Sequence, residues 1–149
     1  MTVQLTSPAF DDGGSIPERH AKDGDDVSPP LRWTGVPPGT AELALLVRDP
    51  DAPGGTFTHW IVANLDPGLE GLETGELPAL AVEGLNDFGD VGYGGPQPPA
   101  GDPSHRYVFQ LLALRRNSGL SHGASYQQFH DATQGKELAR GELVGRYGG

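Results

Sequence analysis

Glu42-Leu43-Ala44-Leu45-Leu46-Val47-Arg48-Asp49-Pro50-Asp51-Ala52-Pro53-Gly54-Gly55-Thr56-Phe57-Thr58-His59-Trp60-Ile61-Val62-Ala63-Asn64-Leu65 is the stretch on which the fold turns. Leu43 to Val47 is apolar without interruption, as expected of a strand covered on both faces. Phe57 to Leu65 reads as a second strand, with Ile61 and Val62 facing opposite ways. Only Pro50 to Thr56 joins the two, and so short a link favours antiparallel neighbours. The end of the first strand at Asp49 and the start of the second, near His59, then share one edge of the sheet.

Working outward, His105–Leu114 is a third strong strand, with Tyr107, Phe109 and Leu111 on one face and Val108, Leu112 and Leu114 on the other. If it runs in the same direction as Phe57–Leu65, His105 reaches the same rim as Asp49 and His59. Residues 1–40 read as irregular, with short strands near Val3–Leu5 and Leu31–Trp33 between the Pro29-Pro30 and Pro37-Pro38 pairs. Asp66 to Asp90 has no sustained period and is read as a long excursion with one short strand near Leu80–Val82. Ser125 and Gln128 have capping-box spacing for a short helix to about Thr133, with Gly135 suited to its end. Lys136 to Arg140 is expected to add a helical turn, and Glu142–Tyr147 a last strand. A single domain, 1–149, is expected.

Composition narrows the function. The 149 residues include 23 Gly and 14 Pro, which make turns dense and long helices unfavourable. Twenty acidic against ten basic residues give a formal net charge of −10, and no Lys/Arg cluster exists to displace counterions, so nucleic acid is excluded as a partner. There is no cysteine, which removes disulfides, thiolate nucleophiles and zinc–thiolate sites. No apolar run is long enough to span a bilayer, and the first residues lack a signal-peptide pattern, so no stable membrane insertion is expected and the cytoplasm is the default location.

A second stretch bears on the rim. Gly92-Tyr93-Gly94-Gly95-Pro96-Gln97-Pro98-Pro99 is a glycine turn stiffened by three prolines, followed by His105-Arg106-Tyr107. Glycine lets a backbone pass close to a neighbour and proline fixes its path. A strand that opens on a histidine and an arginine beside such a turn has the character of an anion site. Taken singly, Asp49 is more often a turn residue and His59 more often a hydrogen-bonded structural histidine.

Taken in order, Asp49-Pro50-Asp51-Ala52-Pro53, His59-Trp60, the Gly/Pro loop and His105-Arg106-Tyr107 closely resemble the phosphatidylethanolamine-binding protein (PEBP) family, which includes the Raf kinase inhibitor proteins. Ser28-Pro29-Pro30-Leu31-Arg32-Trp33 resembles that family's early segment, and Glu142-Leu143-Val144-Gly145-Arg146-Tyr147 its bacterial and archaeal ending. The resemblance implies a mainly β fold, an antiparallel β-sandwich with a few short peripheral helices and an anion pocket at one end. It implies a pocket containing Asp49, His59, His105, the Tyr107 hydroxyl and the Phe57 ring. The loop Gly94-Gly95-Pro96-Gln97-Pro98-Pro99, with Gly95, Pro96 and Gln97 at its centre, would form another side, offering backbone N–H groups from its non-proline members, and Ala52–Pro53 would be cis. Implied partners are a small phosphate-like anion or a phospholipid head group such as phosphoethanolamine, with a protein kinase or protease, and a homodimer, left open. Gln97 departs from the family pattern and is expected to narrow the pocket.

The chemistry expected is binding, with His59 and His105 holding the anion while Asp49 orients and charges them, or itself receives an ammonium. No cofactor and no metal are expected. The alternative is a metal-dependent or other hydrolytic enzyme using Asp49, His59 and His105. Against it, the sequence has neither His-Glu-x-x-His nor Gly-x-Ser-x-Gly, and Ser104 should point away from the face that His105 occupies.

Overall fold

The computed structural model describes residues 2–149. Its elements run β1 (Gln4–Thr6), a 3-10 turn (Glu18–His20), β2 (Leu31–Thr34), β3 (Glu42–Asp49), β4 (Phe57–Leu65), β5 (Gly71–Leu72), β6 (Val82–Glu83), β7 (His105–Leu114), α1 (Tyr126–Thr133) and β8 (Glu137–Tyr147). β1, β2 and β5 form a small sheet. The larger sheet has the order β6-β4-β3-β7-β8, and every strand pairing is antiparallel. The fold is mainly β, as expected.

The uninterrupted apolar run places β3 in the centre of the larger sheet. Leu43, Leu45 and Val47 face the small sheet, joining Leu5, Leu31 and Trp33 in the main core. Ala44 and Leu46 face the other way, against Phe129 of α1. The layers are therefore small sheet, large sheet and helix. Trp60, Tyr107 and Phe109 are among the largest side chains fully buried between the sheets, and burial of such a side chain contributes roughly 1.5–3 kcal/mol. α1 begins at the expected capping box: Ser125 Oγ accepts from the Gln128 N–H, and Gln128 Oε1 accepts from the Ser125 N–H.

Because β4 and β7 both pair antiparallel with β3, they run in the same direction. The end of β3 and the starts of β4 and β7 thus meet at one rim, bringing Asp49, Phe57 and His105 together.

Two details differ from the sequence-based expectation. Lys136 to Arg140 is not a helical turn, because β8 already begins at Glu137 and pairs with β7 along its whole length. These residues are good helix formers, but Ala139 is buried opposite Ala113, and that packing overrides local preference. The Ala52–Pro53 bond is trans; the described residues include no cis peptide.

Candidate functional site

His59 owes its position to a β-bulge. Val47 pairs with Trp60 and Arg48 with Thr58, which leaves His59 with no partner on β3. Strict alternation from Ile61, which packs on the helix side of the sheet, would send His59 to that side as well. The extra residue resets the alternation. His59 instead stacks edge-on against Tyr107, with ring centroids 5.2 Å apart, and lies beside Phe57 and Phe88. Its Nδ1–H donates to the Gly94 carbonyl at 2.6 Å, so the lone pair of the neutral ring is on Nε2. Burial lowers its pKa, with the Gly94 bond and the charges of Asp49 and Asp87 opposing.

His105 is set up in the opposite sense. Its Nδ1–H donates to Asp49 Oδ2 at 2.7 Å inside the protein, and Nε2–H donates to Asp102 Oδ2 at 3.2 Å near the surface. Burial works against the charged ring, but the bonds and charges of the two carboxylates outweigh it and raise the pKa. Two imidazoles at one rim are therefore pushed apart, His59 towards the neutral form and His105 towards the cation. Asp49 hydrogen-bonds only one of them. Its other oxygen, Oδ1, accepts the Asp51 N–H at 2.7 Å, so both oxygens are engaged.

A cavity of about 200 Å³ opens between these groups. Asp49, Phe57, His59, Gln97, His105 and Tyr107 all line it. The Tyr107 hydroxyl is buried without a hydrogen-bond partner among the described residues, a donor left unused at the cavity. Desolvation, with the nearby Asp49 and Asp51 charges, holds its pKa above the ordinary value, so it stays protonated at neutral pH. A larger open groove, about 640 Å³ between β1 and β8, has neither an imidazole nor an orphaned buried group.

Gly95 and Pro96 do not line the cavity. The Gly95 N–H donates to Asp26 Oδ1 at 2.7 Å, and the Pro96 carbonyl accepts from the Lys22 N–H at 2.9 Å. Their bonding faces the Glu18–Asp26 segment, which braces the loop from behind; Tyr93 adds a bond to the His20 carbonyl at 2.7 Å. Glycine is needed at 94 and 95 for close approach. A Cβ on Gly94 would lie 2.4 Å from the Phe88 ring, and one on Gly95 would lie 2.3 Å from the His20 carbonyl oxygen. Gln97 reaches outward, with Nε2 donating to Asp23 at 3.3 Å. Arg106 points away from the cavity and is committed to Asp51, so the strand-opening His-Arg pair does not act as two donors to one ligand.

Ala52 and Pro53 of the first motif and Pro99 of the Gly/Pro loop also line the cavity, as does Phe88, which no sequence motif marks. Phe88 lies in the excursion that lacked a period. Buried Asn86 organises it, accepting from the Phe88 and Asp90 N–H groups and donating to the Gly92 carbonyl. Lys22 sits 4.4 Å from the Phe88 ring centroid, on a cation–π contact. Asp102 carries only a weak sequence signal, an Asp-Pro pair three residues before His105. Among the described residues, no three His, Asp or Glu side chains are grouped to hold a metal ion.

A family model described as phosphatidylethanolamine-binding protein matches residues 6–148. The chain belongs to the phosphatidylethanolamine-binding protein family. A PEBP relative from Methanothermobacter thermautotrophicus, named UPF0098 protein, is 44% identical over 150 residues, covering 97% of this chain and 98% of the relative. The crystal structure of Escherichia coli YbcL, described as a new member of the mammalian PEBP family, matches with a TM-score of 0.93 at 33% identity, covering 99% of this chain and 98% of YbcL. A third relative, LppC of Mycobacterium tuberculosis, is named as a lipoprotein; it is 41% identical over 147 residues, covering 99% of this chain and 73% of LppC. In this PEBP chain no helix among the described residues is long and apolar enough to cross a membrane.

Proposed function

We propose that this chain binds a small anion, of the phosphate or phosphate-monoester type, in the Asp49–His59–His105 cavity and does so without catalysis. The observation that carries the proposal is the 2.7 Å bond from His105 Nδ1 to buried Asp49, which orients the ring and favours its cationic form with Nε2–H turned outward. The unpartnered Tyr107 hydroxyl supplies a second donor. His59 Nε2, as an acceptor, matches a protonated phosphate oxygen or the ammonium of an ethanolamine group. Phe57, Phe88 and the prolines suit a short apolar substituent next to the phosphate. No feature of the pocket favours a kinase or a protease as a regulatory partner. The compartment assumed is the cytoplasm, which fractionation of the native host would test.

Calorimetric titration with inorganic phosphate and with phosphoethanolamine tests the assignment. Both bind the wild type in this account, and His105→Gln loses about 10- to 100-fold in affinity, the range of a charge-assisted hydrogen bond. A folded wild type that binds neither ligand at pH 6 contradicts it. Binding of the free anion alone excludes the head group as the preferred ligand.

A further inference from the structure

We propose that Asp102 is a tethered latch, occupying the anion's place on His105 and leaving it when a ligand binds; this rests on the anion-binding reading above. His105 holds two carboxylates of different character. Asp49 is buried, its side chain 4% exposed, and both of its oxygens are fixed by protein donors. Asp102 is 37% exposed, and its 3.2 Å bond is longer than the roughly 2.7–2.9 Å of a well-formed N⁺–H···O⁻ pair. Among the described residues its side chain makes no other hydrogen bond.

The backbone around it can release it. The turn runs from Pro99, whose carbonyl accepts the Asp102 N–H at 3.2 Å, to Pro103. Between them Gly101 has a φ of +89° and open space on its Cβ side. Glycine alone crosses that region without strain, which makes position 101 a natural pivot. On His105 itself, Nδ1 is committed to the interior and Nε2 is the donor the cavity can use. An anion taking Nε2 therefore displaces the Asp102 carboxylate.

Such a latch acts as a competitor at an effective concentration set by its short tether, on the order of millimolar for short flexible linkers. It lowers the apparent affinity of every anion by one common factor, the inverse of the fraction of time the latch is open. A long-range repulsion from Asp102 behaves differently, weakening a dianion more than a monoanion.

The test is titration of the wild type, Asp102→Asn and Asp102→Ala at pH 6 with inorganic phosphate, sulfate and acetate. The latch predicts that both variants bind all three ligands more tightly, by about tenfold and by the same factor for dianionic sulfate as for monoanionic acetate. A gain clearly larger for sulfate than for acetate overturns the latch in favour of long-range charge. Equal or weaker binding by the variants overturns it too, the weaker case making Asp102 part of the ligand's own contact set. Failure of every protein, variants included, to bind any of the three ligands overturns the underlying anion-binding reading instead.

Discussion

Arg106 holds Asp51 by three hydrogen bonds: from its backbone N–H at 2.9 Å, from Nε at 3.0 Å and from a terminal guanidinium nitrogen at 2.8 Å. The first two share Asp51 Oδ2, and the third reaches Oδ1. This clamp ties the β3–β4 loop to the start of β7. Asp51 in turn donates its N–H to Asp49, so the clamp also fixes the carboxylate that orients His105.

The bond to Arg106 lowers the Asp51 pKa from 3.8 to about 2. Between those values the unfolded chain binds more protons than the folded one, so stability rises with pH across that window. The contribution is complete above 3.8 and is lost as pH falls towards 2. Urea unfolding of the wild type and Asp51→Asn should therefore differ at pH 5 and converge near pH 2. A constant difference across that range would place the clamp's effect elsewhere.

Glu42, at the opposite end of β3, is 2% exposed and accepts hydrogen bonds from the Asn64 N–H, the Ser118 N–H and the Ser118 hydroxyl. Glu42→Ala strands these donors and should cost about 3 kcal/mol or more. Because the residue is remote from the cavity, phosphate affinity of the folded variant should match the wild type. Chemical denaturation with calorimetry separates the two effects, and a loss of phosphate binding in the folded variant would refute that independence.

The two glycines of the Gly/Pro loop should respond unequally to alanine. At Gly94 the added methyl meets the Phe88 ring, which can move at the expense of the cavity wall; at Gly95 it meets the His20–Lys22 backbone. Overpacking of this kind costs about 1–3 kcal/mol, and Gly95→Ala should lie at the upper end or beyond. Gly94→Ala should change ligand affinity more than its thermal midpoint suggests. Comparable stability loss and unchanged binding in both variants would argue against this division of roles.

Much of this arrangement was legible in the sequence, for identifiable reasons. Leu43–Val47 has no polar residue to place on a wet face, so the central strand and its neighbours could be read directly. Ser125 and Gln128 state the start of α1 through a local reciprocal bond. The β8 start at Glu137 was hidden because Lys136–Arg140 contains good helix formers, and only the partner strand β7 decides the conformation. Likewise the bulge at His59 leaves no mark in composition, since it depends on the register with β3. Gly94 and Gly95 announced a close approach, but not that they approach Phe88 and the Glu18–Asp26 segment. The assignment of Asp49 to His105 and of His59 to a carbonyl needed coordinates, because all three polar residues share one rim.

The central claim is that His105 is the cationic donor to an anion while His59 is a neutral acceptor. NMR titration of the two imidazoles, with and without inorganic phosphate, tests it most directly. Without ligand, His59 should titrate below 6.5 and His105 above it, in keeping with the directions of their shifts. Because an anion binds the charged ring more tightly, saturating phosphate should raise the His105 midpoint further and shift its Nε2 resonance. A His105 titration that is the same with and without phosphate would contradict the account.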